Sequence, residues 1–178
     1  MWSTLASRDV YENAWIRVRE DQVRRPDGTE GVYGVVEVRN PAVFVVAVTA
    51  AAEILLVTVD HYTTGGPSVE VPAGGSDGED LLLAAQRELR EETGYAAARW
   101  QALGEVQSLN GVAAARGRVF LARELALVGG AELETEGIAA VEVVPLAEVV
   151  AMVGRGEITD NESLGALLMA LVALGRVG

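Results

Sequence analysis

The order of the predicted elements along the 178-residue chain predicts an α+β or sandwich-like α/β domain. Strand-like segments fill the first third, an amphipathic helix covers residues 79–93, two further strands follow, and two helices come last. Half of the residues are hydrophobic, which is ample material for one core. Because sheets and helices bury their apolar faces against each other, this order favours a layered architecture.

The first forty residues are predicted to contain a β-hairpin. The segments WIRVRED (15–21) and GVYGVVEVR (31–39) are rich in strand-forming residues. They flank the sequence PDG, in which proline presets φ and glycine permits a positive φ, so it is a turn signal. The chain is therefore expected to begin with a small antiparallel β region.

Apolar runs predict the remaining strands. AVFVVAVT after Pro41 and ILLVTV from Ile54 are buried-strand candidates. HYTTGGPS is predicted as a loop that leads into the short segment VEVPAGG. RVFLARELAL (118–127) and AAVEVVPL (139–146) predict two more strands.

Three helices follow from apolar spacing and end signals. The helix at 79–93 carries an approximate buried stripe and ends before Gly94, a suitable left-handed C-cap. The stripe comprises Leu82, Leu83, Ala85, Gln86 and Leu89. A short helix is expected at 146–154. The sequence TDNE matches a capping box with Thr159 as N-cap, and it predicts a last helix that runs to Leu174.

The composition excludes several classes of protein. The formal net charge is −12 and the sequence pI is about 4.5, whereas a nucleic-acid-binding protein needs a basic surface. The chain has no cysteine, so disulfides, thiolate metal sites and a cysteine nucleophile are excluded. The first residues lack a signal-peptide pattern, and the apolar runs fall short of the about 20 residues that span a membrane. We expect a cytoplasmic protein without nucleic-acid or membrane partners.

The segment RELREETGY (87–95) concentrates acidic residues on one helical face. Glu88, Glu91 and Glu92 are three and four residues apart, so they project from the same side of a helix and repel each other. A hard divalent cation such as Mg²⁺ takes oxygen ligands and holds carboxylates that otherwise repel. The alternative, on composition alone, is a solvated acidic face with Glu–Arg pairs.

The order of residues around these glutamates resembles the Nudix box. The family motif is G, five residues, E, seven residues and REUxEExGU, where U is a bulky aliphatic residue. The chain matches it from Glu79 onward, with Tyr95 at the final position. Only four residues separate Gly74 from Glu79, so this loop is one residue shorter than the family pattern. The resemblance implies the Nudix fold, an α/β/α sandwich, and a Nudix hydrolase activity.

The resemblance implies a role for each matched residue. Glu88 and Glu92 would be the main ligands of Mg²⁺, with Mn²⁺ as an alternative cation. Glu91 would be a further ligand or the catalytic base, and the carbonyl of Ala73 would complete the metal site. Arg87 would orient the glutamates through charge-assisted hydrogen bonds. The implied reaction is hydrolysis of a nucleoside diphosphate linked to another group, in which the cation neutralises the diphosphate and activates a water.

The resemblance extends over most of the chain to the ADP-ribose pyrophosphatase and nucleoside-diphosphate-sugar branch of the family. It includes VYENAWIRVREDQVRRPDG, GVYGVVEV, VEVPAGG and GEITDNESLGALLMAL. It implies that residues 1–40 form a dimerisation region and that residues 41–178 form the Nudix hydrolase domain. The implied protein is a homodimer that cleaves ADP-ribose or a related nucleoside-diphosphate sugar.

Five residues are predicted to bind that substrate. Trp15, Tyr33 and Tyr62 are candidates for stacking on a base, and ordinary packing in a core or interface is the alternative for each. His61 occupies a position at which the branch often has an arginine, and an imidazole can still donate one hydrogen bond. Glu70 lies in the VEVPAGG segment that leads into the box.

One departure concerns a catalytic glutamate that the branch carries in a loop of the form SxGxSDE. The corresponding stretch is NGVAAAR (110–116), and Ala115 stands where the glutamate is expected. Three explanations remain open: Glu91 activates the water, a glutamate elsewhere takes the role, or the protein binds a nucleotide sugar with weak or lost catalysis. The glutamates considered for the second explanation are Glu105, Glu134 and Glu136.

Overall fold

The computed structural model describes residues 1–177, which form ten strands and four helices. In chain order these are β1 (Ser3–Glu12), β2 (Ile16–Arg24), β3 (Glu30–Val38), β4 (Ala42–Val48), β5 (Glu53–His61), β6 (Gly66–Glu70), β7 (Ala73–Gly75), α1 (Leu81–Thr93), β8 (Tyr95–Ser108), β9 (Ala113–Leu127), α2 (Leu133–Glu136), β10 (Ile138–Pro145), α3 (Leu146–Arg155) and α4 (Asn161–Ala173). Within these residues, no helix has the length and apolar character needed to cross a membrane.

Strand β9 joins the N-terminal strands to the rest of the sheet. The strand order is β1-β2-β3-β9-β4-β5-β10, with β6 beside β5, β7 beside β4 and β8 beside β9. The first part of β9 pairs in parallel with β3, where Ala113 lies opposite Val36. Its middle pairs in parallel with β4, where Gly117 lies opposite Ala42.

Strand β4 shows why helices cover both faces of the sheet. Its side chains alternate between the two faces, and both sets are buried in separate clusters. One set packs against residues of α3 and α4, and the other packs against α1. The two sets are Phe44, Val46 and Val48, and Val43, Val45 and Ala47. The structure confirms the predicted α+β class, with helices on either side of a sheet.

The N-terminal region is a three-stranded antiparallel sheet, β1-β2-β3. Asp21 on β2 is buried, and its carboxylate accepts hydrogen bonds from the Ser7 hydroxyl and from Arg19. The Ser7 hydrogen bond, supported by Arg19, keeps the pKa of Asp21 below its usual value although burial opposes this. Strand β1 was not predicted, because all ten of its positions are exposed and its sequence shows no apolar alternation.

Helix α1 differs from its prediction at the start and on its buried face. The Asp80 side chain accepts hydrogen bonds from the amides of Leu82 and Leu83, at 2.9 and 3.3 Å, so the helix begins after Asp80. It ends at Gly94 with φ of 74°, as predicted. Leu83 was predicted to be buried and is 59% exposed. The buried face comprises Ala84, Ala85, Glu88, Leu89, Glu92 and Thr93.

Two other predicted boundaries are wrong. Asp160, not Thr159, caps α4, because its carboxylate accepts a hydrogen bond from the Ser163 amide at 2.7 Å. Half of the predicted loop HYTTGGPS is strand, because β5 continues through His61 and β6 begins at Gly66, which leaves a turn at 62–65.

The segment after α1 also differs from its prediction. Residues 95–108 form the long strand β8, which an alanine-rich sequence did not reveal. The loop predicted over residues 110–116 is a shorter turn at 109–112. Ala115 therefore lies within β9, opposite Ser108, in a hydrogen-bonded ladder.

Candidate active site

Helix α1 directs two box glutamates toward the sheet. Glu88 and Glu92 lie one turn apart on its inward face, and both are buried. They face β7, which pairs with β4 through Gly74 and Val43. A Cβ atom at Gly74 would collide with the Glu88 carboxylate. The glycine therefore allows the helix and the strand to enclose two carboxylates in a narrow space.

Arg87 ties the parts of the box together. Its guanidinium donates hydrogen bonds to three carboxylates and one carbonyl. The acceptors are Glu79 (3.1 Å), Glu88 (2.8 Å), Glu91 (3.0 Å) and the carbonyl of Gly75 (2.9 Å). Because charge-assisted hydrogen bonds are strong and the guanidinium is planar, this residue orients the glutamates and fixes the loop to the helix.

Burial makes ionisation of both inward glutamates costly. Burial raises the pKa of Glu92 to about 8, although the Ala73 amide donates a hydrogen bond to its carboxylate at 3.0 Å. Burial also raises the pKa of Glu88, against the opposing effect of Arg87. The charge of Glu88 raises the pKa of Glu92 further, and the charge of Glu91 raises the pKa of Glu88. A cation beside them would reverse this balance.

The donor set suits a hard divalent cation. Glu88, Glu91 and Glu92 offer carboxylate oxygens, the ligands that Mg²⁺ and Mn²⁺ prefer. In the part of the chain that the structure describes, no three acidic or histidine side chains form a ready-made metal cluster. Arg87 donates hydrogen bonds to Glu88 and Glu91, and the Ala73 amide donates one to Glu92. The carboxylate oxygens are therefore suitable ligands for a cation. In this structure they accept hydrogen bonds from Arg87 and from the Ala73 amide.

A further carboxylate approaches the box from α2. The charge of Glu136 raises the pKa of both buried box glutamates. Two backbone hydrogen bonds hold its segment in place: the Glu132 amide donates to the carbonyl of Glu91 at 2.7 Å, and the Asp60 amide donates to the carbonyl of Gly137 at 3.1 Å. Helix α2 is thereby attached to α1 on one side and to β5 on the other.

The other candidates for a catalytic glutamate are placed differently. Glu105 accepts a hydrogen bond from Arg118 at 2.7 Å, and Glu134 is exposed. Ala115 lies in a strand, so the prediction that it occupies a catalytic loop is wrong. The physical reason is the length of β8 and β9, whose pairing extends to Ser108 and leaves little loop between the strands.

Two cavities border the box. One, of about 490 Å³, lies between α1 and the start of β8, and Arg87, Glu91 and Trp100 line it. The other, of about 440 Å³, contains the predicted residues His61 and Glu70. His61 Nε2 lies 2.7 Å from Glu70 Oε1. The charge of Glu70 also raises the pKa of Glu92.

The three predicted aromatic residues line neither of these cavities within a single chain. Trp15 is 72% exposed and Tyr62 is fully exposed. The Tyr33 hydroxyl donates a hydrogen bond to the carbonyl of Gly111, and its ring packs edge-on against Trp2 with centroids 5.5 Å apart. Tyr33 therefore connects the N-terminal sheet to the turn between β8 and β9.

Two family models match the chain. The model of the nucleoside diphosphate sugar hydrolase N-terminal domain matches residues 2–36. The model of the NUDIX domain matches residues 38–164, which include the box, Glu70 and Glu136. Together the two matched segments cover most of the sequence.

Similar proteins extend this match over nearly the whole chain. An ADP-ribose pyrophosphatase of Mycobacterium tuberculosis is 35% identical over 170 residues, which are 94% of this chain and 82% of the relative. An ADP-ribose pyrophosphatase of Bacillus subtilis is 30% identical over 167 residues, 92% of this chain and 89% of the relative. A crystal structure of ADP compounds hydrolase shares the fold, with a TM-score of 0.85 over 99% of this chain and 97% of that chain at 21% identity. This chain therefore belongs to the Nudix family and is a Nudix hydrolase.

Proposed function

We propose that this Nudix hydrolase cleaves the diphosphate of ADP-ribose or a related nucleoside-diphosphate sugar, with Mg²⁺ as cofactor and Mn²⁺ as an alternative cation. The observation that carries the proposal is the buried carboxylate pair Glu88 and Glu92 between α1 and β7. Buried charges are stable in proteins when a counter-charge or a metal offsets them. The similarity of nine-tenths of the chain to two ADP-ribose pyrophosphatases supports the substrate class.

The residues of the box have separate tasks in this proposal. A divalent cation held by Glu88, Glu91 and Glu92 would supply charge neutralisation of the diphosphate and a water of lowered pKa. Arg87 holds Glu88 and Glu91 in position at 2.8 and 3.0 Å, and the Ala73 amide holds Glu92 at 3.0 Å. These contacts reduce the freedom of the ligands before any cation binds, which favours binding and correct geometry.

We assign the general base to Glu136. Glu91, the alternative, accepts a charge-assisted hydrogen bond from Arg87, which occupies its carboxylate in the position of a metal ligand. Glu136 stands on a separate element that faces the box, so it can accept a proton from water without leaving a ligand position. With this carboxylate at the box, no specific observation favours the alternative of a binding protein with weak or lost catalysis.

The exposed apolar surface of the N-terminal sheet supports a homodimer formed through residues 1–40. Trp2, Val10, Trp15 and Val32 are each more than half exposed. Exposed large apolar side chains on a sheet are candidates for burial against another protein. In such a dimer, Trp15 is available to stack on the base of the substrate.

A substrate panel tests the proposed function. ADP-ribose, ADP-glucose, UDP-glucose and ATP are each incubated with the protein and Mg²⁺, Mn²⁺ or EDTA, and the products are separated by ion-exchange chromatography. We expect AMP and ribose 5-phosphate from ADP-ribose, no turnover in EDTA, and little hydrolysis of ATP. Preferred hydrolysis of ATP would contradict the substrate class, and tight binding of ADP-ribose without products would favour the binding-protein alternative.

A further inference from the structure

The cavity of about 440 Å³ beside Glu70 has two walls of different origin. The turn between β5 and β6 contributes Thr63 and Thr64, and β6 contributes Ser68. The start of α4 contributes Asp160 and Asn161. The cavity is therefore lined by hydroxyl, amide and carboxylate groups, and it lies between β6 and the start of α4.

The lining of this cavity contains two acidic residues and one histidine. Glu70 and Asp160 are acidic, and neither arginine nor lysine belongs to the lining residues. The Glu70 side chain is only 13% exposed, so its charge is weakly screened by solvent. A phosphate carries about −1.5 to −2 charges near neutral pH. Placing one here would bring it close to two carboxylates without a partner cation.

His61, the single histidine of the chain, is held beside Glu70 in the lining of the cavity. Its Nε2 lies 2.7 Å from Glu70 Oε1. An ionised carboxylate only accepts hydrogen bonds, so Nε2 must carry the hydrogen. The paired imidazole and carboxylate, together with the threonine and serine hydroxyls, are hydrogen-bonding groups of the kind that the hydroxyl groups of a sugar require.

The α4 wall of the cavity has a fixed position relative to the box. Ser163 is fully buried, and its hydroxyl accepts a hydrogen bond from the Val71 amide at 3.1 Å. Its own amide donates to Asp160 at 2.7 Å. Val71 lies between Glu70 and Ala73, so the same segment positions the cavity wall and the start of the box. The fold therefore fixes the distance between the α4 wall of the cavity and the start of the box.

We propose that this cavity binds the uncharged, hydroxyl-rich distal group of a nucleoside-diphosphate sugar and disfavours a distal group that carries a phosphate. The inference rests on the proposed function and names its substrate specificity. Hydroxyls of the sugar gain hydrogen bonds from the polar lining, and each is worth roughly 0.5 to 1.5 kcal/mol. A distal phosphate meets the carboxylates of Glu70 and Asp160 and loses binding energy by repulsion.

The test compares two compounds that differ by one distal phosphate, ADP-ribose and ADP-ribose 1″-phosphate. For the unmodified enzyme we expect kcat/KM for the phosphorylated compound to be lower by about tenfold or more. Thr64→Arg adds a cation to the wall of the cavity. It should reduce the ratio of kcat/KM for ADP-ribose to kcat/KM for the phosphorylated compound by at least about threefold, mainly by lowering KM for the phosphorylated compound. Ala51→Arg, an equal change of charge at an exposed turn outside the cavity, should leave the ratio unchanged.

The outcomes separate this inference from the proposed function. Equal kcat/KM for the two compounds would overturn the inference and leave the proposed function intact. A ratio that Thr64→Arg does not change, or that Ala51→Arg changes equally, would also overturn it. If neither compound is cleaved, the proposed function fails and the inference fails with it. Ser68→Arg, on β6, is the second variant if Thr64→Arg does not fold.

Discussion

The Nudix box and the N-terminal sheet differ in how many partners each finds within a single chain. In the box, Glu88 and Glu92 are buried, and every carboxylate is oriented by Arg87 or by a backbone amide. In the N-terminal sheet, β1 is exposed along its whole length, and Trp15 shows 72% of its surface to solvent. The first region has a surplus of buried carboxyl groups, and the second has a surplus of exposed apolar area.

Each surplus indicates what would stabilise the region. Buried like charges are stabilised by a cation of high charge density. Exposed apolar area is stabilised by burial, at about 25 cal/mol per Å². Under the proposed function, the comparison separates the metal chemistry assigned to the box from the substrate contacts and assembly assigned to the N-terminal sheet. The following variants are designed to test that separation.

The largest effect is expected for Glu92→Gln, which removes a charge with little change in shape. Loss of a metal ligand removes several kcal/mol of charge stabilisation, and we expect kcat/KM to fall by about 10⁴-fold. Mg²⁺ binding measured by calorimetry should weaken in parallel. Glu142→Gln, at an exposed position on β10, is the control and should retain activity. Near-normal turnover in a folded Glu92→Gln protein would refute the metal assignment.

The next effect is expected for Glu136→Gln, compared with Glu105→Gln as a matched change. A general base contributes about 10²- to 10⁴-fold to the rate. We expect kcat to fall by about 10²- to 10³-fold for Glu136→Gln with little change in KM, because a base acts mainly in the transition state. Glu105, engaged with Arg118, should tolerate the change. A large loss in Glu91→Gln together with normal kcat in Glu136→Gln would return the role of base to Glu91.

The sequence was most informative where local chemistry decides the structure. Helix α1, its end at Gly94 and the placement of Glu88 and Glu92 on one face followed from residue spacing, because a helix places residues four apart on one face. The burial of that face was not predicted, and Leu83, which was expected to be buried, lies outside it. Position along the chain determines the face, and the packing partner determines how much of it is buried.

The parts that were missed depend on contacts between distant segments. Strand β8 has an alanine-rich sequence with weak strand preference, and its pairing with β9 stabilises it. The extent of that pairing also decides that Ala115 is a strand residue. The segment ELETEG offered one signal for Glu136, since glycine at 137 permits the left-handed end of a short helix. Its placement beside the box depends on hydrogen bonds from α2 to α1 and β5, which no local pattern reveals.

A smaller effect is expected in the pH dependence of stability, measured by urea unfolding with EDTA present. The pKa of Glu92 is raised from 4.5 to about 8 in the folded protein, so the folded state holds a proton that the unfolded chain releases above about pH 4.5. The free energy of unfolding should therefore fall as pH rises from about 4.5 to 8, by an amount on the order of a few kcal/mol. Glu88, shifted in the same direction, adds to this slope.

Glu92→Gln provides the control for that measurement. A glutamine has no proton to lose, so the slope between pH 4.5 and 8 should become shallower, and the variant should be more stable than the parent at pH 8. Asp21 has a lowered pKa, so its contribution is lost only as pH falls below this window. Stability that is flat or rises across the window in the parent protein would show that Glu92 is ionised in the folded state.

The smallest effect is expected at the N-terminal sheet, where Trp15→Ala tests assembly and base stacking together. Trp15 is exposed and its side chain is not needed for the fold of one chain, so the free energy of unfolding at low protein concentration should change by less than about 0.5 kcal/mol. If the exposed surface forms a dimer and the indole stacks on the base, KM should rise several-fold while kcat changes less. Light scattering at micromolar concentration measures the assembly directly.

Tyr33→Phe is the matched comparison, since it removes only the hydroxyl that bonds to the Gly111 carbonyl and keeps the ring against Trp2. A monomer with unchanged KM in the parent and in Trp15→Ala would show that the box acts alone and that the apolar surface of the N-terminal sheet has no part in catalysis.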